Sequence, residues 1–172
     1  EARAREAGGD FFISKPIFQS VVQDVLLKAT RRRQSADTLP VQKEDFAGRR
    51  ILLVEDNEIN MEIARTLLEF RNASVDGACN GQQAVEMFRS SPQNHYDAVL
   101  MDVRMPVMDG IAATQAIRGL DRADAATVPI LAMTANAFAE DIERSRKAGM
   151  NEHLAKPIEP ETLYARLASY FR

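Results

Sequence analysis

From Arg49 onward, short apolar runs alternate with longer stretches in which apolar residues recur every three or four positions. Ile51-Leu52-Leu53-Val54 reads as a strand buried on both faces and closed by Glu55-Asp56. Ile59, Ile63, Leu67 and Leu68 predict the inner face of a helix that starts near Asn57. Ala73 to Ala78 is a weaker strand, and Asn80-Gly81 turns into a helix carrying Ala84, Val85 and Phe88. Ala98 to Met101 forms the third apolar run, ended by Asp102, with Pro106 and Gly110 marking the loop beyond it. A helix over about 111–119, a strand over Pro129 to Met133 and a helix from Phe138 to Ala148, stopped by Gly149, follow in order. A short strand at His153-Leu154-Ala155 and a helix from Glu159 to Phe171, with Leu163, Leu167 and Tyr170 on its apolar side, complete the pattern. Strands alternating with helices in this way predict an α/β doubly wound, five-stranded parallel sheet with helices on both faces.

The chain before Arg49 does not continue this pattern. Residues 31–48 are rich in Arg, Gln, Ser, Asp and Lys, with Pro40 in the middle and no apolar period, which reads as a linker. Residues 1–30 are too few to bury a core alone. They do resemble the end of the chain: Ala7-Gly8 and Lys15-Pro16-Ile17 match Ala148-Gly149 and Lys156-Pro157-Ile158 at one offset, 156 − 15 = 141 residues. Arg3 and Arg5 fall on Arg144 and Arg146 at the same offset. The first 30 residues therefore read as the tail of a preceding copy of the domain that fills residues 49–172. Its helix shows an apolar face of Phe18, Val21, Val22 and Val25, expected either to be poorly ordered or to dock on an exposed surface.

Composition narrows the function classes. Apolar content of 45% and charged content of 27% over 172 residues are those of a soluble globular protein. A net charge of −3 gives no electrostatic case for nucleic acid, and Arg31-Arg32-Arg33 reads as a solvated helix end. No apolar run approaches the roughly 20 residues of a membrane-spanning helix, so no membrane contact is expected of this piece. The single Cys79 excludes an intrachain disulfide and fits a reducing, cytoplasmic setting. Glu1 is no initiator Met, so the chain reads as a piece of a longer one.

The chemistry gathers at the carboxyl ends of the predicted strands, where an open parallel sheet binds its ligands. Those ends carry Glu55-Asp56, Asp102, Thr134 and Lys156. Three carboxylates in one crevice repel: two unit charges at ~4 Å cost on the order of 4 kcal/mol at an effective dielectric of 20. Such a set calls for a cation, and few carboxylates with open positions suit Mg²⁺. A lysine and a hydroxyl donor around one carboxylate add what phosphoryl transfer onto that carboxylate needs. Taken singly, the acids read as helix caps and the lysine as a surface charge; their arrival at adjacent strand ends argues against that.

These residues stand in ordered motifs: Val54-Glu55-Asp56-Asn57-Glu58, Leu100-Met101-Asp102-Val103-Arg104-Met105-Pro106-Val107-Met108-Asp109-Gly110, Met133-Thr134-Ala135-Asn136-Ala137, and Ala148-Gly149-Met150 with Lys156-Pro157. From about Arg49 to Arg172 they resemble the response-regulator receiver domains of two-component signalling, and the longer wording is similar to receivers fused to hybrid sensor histidine kinases. The resemblance implies a flavodoxin-like sheet of order 2-1-3-4-5. It implies that Asp102 accepts a phosphoryl group from a phosphohistidine and passes it onward to a His phosphotransfer partner. It further implies that Glu55, Asp56, Asp102 and the backbone carbonyl of Arg104 hold Mg²⁺, that Thr134 and Lys156 bind phosphoryl oxygens, and that Lys156-Pro157 is cis. A histidine kinase domain as donor and a bacterial, cytoplasmic setting go with it. The chain would be a signalling module rather than an enzyme turning over a free substrate.

His153 stands where the family usually carries the Tyr or Phe that turns inward with the switch threonine, here Thr134. Arg104 and Asn136, two beyond Asp102 and Thr134, occupy positions that flank the approach of water in that family. Neither is a carboxylate base, so slow self-dephosphorylation and competent back-transfer are expected. Rival readings lack their marks. A phosphoaspartyl hydrolase of the dehalogenase type needs a second Asp where Arg104 stands, and a flavin site would be repelled by Glu55-Asp56-Asn57-Glu58. A receiver-like module that only binds partners would have lost one of Asp102, Lys156 or the acid pair.

Overall fold

The computed structural model describes residues 44–135 and 139–171. The expectations for residues 1–43 and for Asn136 lie outside the described residues. Five strands, β1 (Arg50–Val54), β2 (Ser74–Ala78), β3 (Ala98–Asp102), β4 (Ile130–Thr134) and β5 (Glu152–Ala155), form one sheet of order β2-β1-β3-β4-β5. Every neighbouring pair is parallel. The flavodoxin-like doubly wound architecture expected from the sequence is the one observed.

Each apolar strand splits its residues between the two faces, because successive side chains point to opposite sides. Ile51, Leu53, Ala98, Leu100, Leu131 and Met133 share one core. It is roofed by α1 (Glu58–Glu69) through Ala64 and Leu68 and by α6 (Pro160–Tyr170) through Leu163, Tyr164 and Leu167. Leu52, Val54, Val99, Met101, Ile130 and Ala132 share the other. That face is roofed by α2 (Gly81–Ser90) through Ala84, Val85 and Phe88, and by α3 (Gly110–Arg118) through Ala113 and Ile117. The central strand β3 has all five residues buried, which is why its sequence shows no alternation. Helix starts follow their caps: the side chains of Asn57, Asn80 and Asp109 accept from backbone N–H groups in the first turns of α1, α2 and α3. Gly149, with φ of 103°, takes the left-handed conformation just after α5 (Ala139–Ala148).

Two details differ from the sequence expectation. Ile59 and Ile63 are 49% and 40% exposed, so they do not form the inner face of α1. Each residue turns the helix by about 100°, and Ala64 and Leu68, with half-buried Met61 and Leu67, take the sheet-facing stripe instead. A short helix, α4 (Ala123–Thr127), also stands between α3 and β4. Five residues give no readable period. Its anchor is the buried Asp124, which accepts from Arg122 at 2.7 and 2.8 Å and from the backbone N–H of Asn94 at 2.7 Å. Arg122 in turn donates to the carbonyls of Phe88, Ser91 and Pro92, tying the end of α2 to α4. Phe46, upstream of β1, is a core residue, edge-on to the rings of Tyr164 and Phe171.

Candidate phosphoacceptor site

Because all five strands run in parallel, β1, β3, β4 and β5 deliver their last residues to the same edge of the sheet. Asp102 is the final residue of β3 and Thr134 of β4, while Glu55 follows β1 and Lys156 follows β5. The structure thus brings together the residues expected from the sequence. Lys156 is the hub: its Nζ donates to Glu55 Oε2 and to Asp102 Oδ2, each at 2.6 Å. Its backbone N–H donates to the carbonyl of Thr134 at 2.9 Å, which fixes the lysine against β4. The Lys156-Pro157 peptide bond is cis, as the resemblance implied.

Asp102 and Glu55 are 6% and 3% exposed, so their charges need partners. The second oxygen of Asp102 accepts from the backbone N–H of Arg104 at 3.1 Å. The second oxygen of Glu55 accepts from Asn60 Nδ2 at 3.0 Å, a support from the first turns of α1. Burial of the Lys156 amine opposes its charge, but the hydrogen bonds and charges of Asp102 and Glu55 outweigh it and hold the ammonium above its ordinary pKa. Asp56 is exposed, and its carboxylate oxygens come within 4.8 Å of one each from Glu55 and Asp102. Three carboxylates against one ammonium leave the cluster negative.

A metal fits this donor set on its chemistry. The ligand atoms are all carboxylate oxygens, hard donors preferred by Mg²⁺ and Ca²⁺, and the exposed Asp56 leaves the cluster open on one side. Thr134, 6% exposed, ends the neighbouring strand β4, one residue beyond Met133, which pairs in register with Asp102.

Two further residues line this edge. The Arg104 side chain reaches α5, where its Nη2 is 3.7 Å from Asp141 Oδ2. The two flank a cleft of about 560 Å³ whose wall also includes Asp56, Met105, Pro106 and Arg144. The Asp141 partnership carries no sequence signal, since the two residues are far apart in the chain. His153, on β5 opposite Ala132, has its Nε2 buried without a hydrogen-bond partner among the described residues. Burial holds its pKa below the ordinary value of 6.5, against the nearby charge of Glu152 and with that of Arg146.

A parallel sheet whose strand ends converge on buried carboxylates, a lysine and a hydroxyl defines an open-sheet α/β module with its charged groups gathered at the carboxyl edge. The chain belongs to the response regulator receiver domain family, whose pattern it matches over residues 51–168. Among curated relatives, the signal transduction histidine-protein kinase BarA of Escherichia coli K12 is 35% identical over 156 residues, 91% of this chain and 16% of that protein. The chain spans only 9 to 17% of the length of this and two other curated relatives that it matches.

Solved structures agree with this placement. The receiver domain of sensor histidine kinase PA1611 from Pseudomonas aeruginosa PAO1, described with a magnesium ion coordinated in its active site cleft, is 41% identical. It superposes with a TM-score of 0.65, covering 72% of this chain and 98% of that one. The Saccharomyces cerevisiae co-crystal of the phosphotransfer protein Ypd1 with the receiver domain of Ssk1 matches at 31% identity and a TM-score of 0.64. That match covers 73% of this chain and 90% of the other.

Proposed function

We propose that residues 49–172 form a phosphoryl-accepting receiver of a two-component phosphorelay and that Asp102 is the acceptor. The observation that carries this reading is the Lys156 ammonium, shared at 2.6 Å between Asp102 and Glu55, with Asp56 completing the carboxylate set. Glu55, Asp56, Asp102 and the backbone carbonyl of Arg104 would hold Mg²⁺. The chemistry such an ion would supply there is neutralisation of the carboxylates and of the oxygens of the group in transfer. A carboxylate oxygen of Asp102 attacks the phosphorus of a phosphohistidine. The P–O bond forms while the P–N bond breaks, and its electron pair stays on the imidazole, which takes up a proton. Lys156 and the Thr134 hydroxyl bind the equatorial oxygens through the transfer, and the apolar strands beneath keep Asp102 fixed. The same steps reversed deliver the group to a second histidine.

The donor would be a histidine kinase domain of the parent chain and the recipient a His phosphotransfer domain. The hybrid-kinase relatives and the Ypd1–Ssk1 complex support that choice. Residues 1–30 would be the tail of an upstream receiver-like domain and 31–48 the linker, whose last residues belong with the receiver because Phe46 is buried in its core. The likeness to BarA covers 91% of the chain and so reaches upstream of the receiver pattern, which begins at residue 51. A cytoplasmic setting without nucleic acid fits the exposed free Cys79 and the net charge of −3, and the likeness to BarA of Escherichia coli supports a bacterial one. No helix among the described residues is long and apolar enough to cross a membrane. Thr134 and His153 would be the pair that changes position on phosphorylation.

Phosphotransfer from phosphohistidine donors to the wild type and to Asp102→Asn tests the reading. Label is expected on the wild type only, because the amide is a far weaker nucleophile and gives no carboxylate to the metal. Equal labelling of the two proteins would refute it.

A further inference from the structure

We propose that Asp141 is a competitor for Arg104, and that it sets how long a phosphoryl group on Asp102 survives; this rests on the acceptor role given to Asp102 above. The backbone of Arg104 is pinned beside the acceptor, since its N–H donates to Asp102 Oδ1 at 3.1 Å. Its side chain is 72% exposed and its Nη2 lies 3.7 Å from Asp141, across the cleft. Asp141 is also approached by Arg144, one turn further along α5, at 4.0 Å. Both contacts are long, and the arginines are well exposed, so each pair is weak and screened by salt. One carboxylate thus faces two guanidinium groups, and it can release Arg104 without losing its own counter-charge.

A phosphoryl group on Asp102 changes that balance. It brings close to two negative charges and three acceptor oxygens to a point next to the Arg104 backbone. A planar guanidinium pairs with such a group better than with one distant carboxylate. Arg104 then leaves Asp141 for the phosphoryl oxygens, and Asp141 stays with Arg144. The exchange has two consequences. Arg104 covers the phosphoryl group on the cleft side. There, water must approach in line for hydrolysis, forming a new O–P bond while the P–O bond to Asp102 breaks and the carboxylate and inorganic phosphate separate with release of a proton. The tie between the β3–α3 loop and α5 is also undone, so α5 senses the state of Asp102. Asp141 is therefore a positioning residue that acts through Arg104.

The signature is a pair of opposite effects. Arg104→Ala is expected to shorten the lifetime of the phosphorylated full chain in Mg²⁺ by about two- to fivefold, the scale of one exposed charge pair. Asp141→Asn, which frees Arg104, is expected to lengthen it by about two- to threefold. In an Arg104→Ala background, Asp141→Asn is expected to change nothing. Asp141→Ser repeats the arm should the amide disturb α5, with thermal unfolding of the unphosphorylated proteins as the control. Asp141→Asn or Asp141→Ser shortening the lifetime, or acting equally with and without Arg104, overturns the proposal. A wild type that takes up no phosphoryl group at all refutes the acceptor reading instead.

Discussion

Gly110→Ala is expected to destabilise the domain by about 3 kcal/mol, roughly a 10 °C fall in Tm, and to take phosphoryl acceptance down with it. Gly110 is the first residue of α3 and its helix crosses directly over the end of β3. A Cβ there would collide with the backbone carbonyl oxygen of Asp102 and stand 2.9 Å from Met101 Cγ. Neither side can yield cheaply. The Gly110 N–H donates to the Val103 carbonyl at 3.1 Å, and the Val103 N–H donates to Met133 in β4 at 3.1 Å. Asp109, which caps α3, fixes the helix start from the other direction. Relief has to come from moving the strand end that carries Asp102, so stability and acceptor geometry fail together. Urea unfolding and phosphotransfer on the same preparation check this; an unchanged Tm would show that α3 can slide away from β3.

Asp56→Asn is expected to weaken Mg²⁺ binding by tenfold or more while leaving the fold intact, since one of three charges facing the ion is lost where such charges interact by on the order of 4 kcal/mol at ~4 Å. Asp56 makes no hydrogen bond or ion pair among the described residues, in contrast to Glu55 and Asp102, which both hold Lys156. It is therefore the acid whose removal reports on the metal alone. Without metal, the same substitution relieves repulsion in the cluster, so the Tm of the metal-free protein is expected not to fall. Calorimetric titration with Mg²⁺ is the measurement, and equal affinity in the two proteins would remove Asp56 from the ligand set.

The parts of the molecule legible in the sequence share a physical reason. β1, β3 and β4 are buried on both faces, so each appears as an unbroken apolar run bounded by polar residues. Parallel topology then forces Glu55, Asp102, Thr134 and Lys156 to one edge without any knowledge of side-chain contacts. What stayed hidden depends on rotation or on distant pairing. In α1 the choice between the Ile59–Ile63 stripe and the Ala64–Leu68 stripe is a matter of helix phase, and the larger residues do not win it. Small Ala64 lets the helix lie close to β1, whereas isoleucine there would hold it away. The hold of Arg122 on the carbonyls of Phe88 and Ser91 at the end of α2 and the reach of Arg104 to Asp141 join residues whose sequence neighbourhoods give no hint of each other. His153 was readable as a departure at the switch position, but not as a ring whose Nε2 is buried without a partner among the described residues.

The central claim is that the phosphoryl group resides on one carboxylate, and its most direct test is chemical trapping. After incubation with a phosphohistidine donor and Mg²⁺, borohydride reduction converts an aspartyl phosphate to homoserine, which mass spectrometry of the digested chain then locates. The account predicts homoserine at position 102 and nowhere else, with none formed when the donor is left out. Homoserine at position 56 or 109, or none anywhere after the donor has lost its phosphoryl group to the protein, would contradict it.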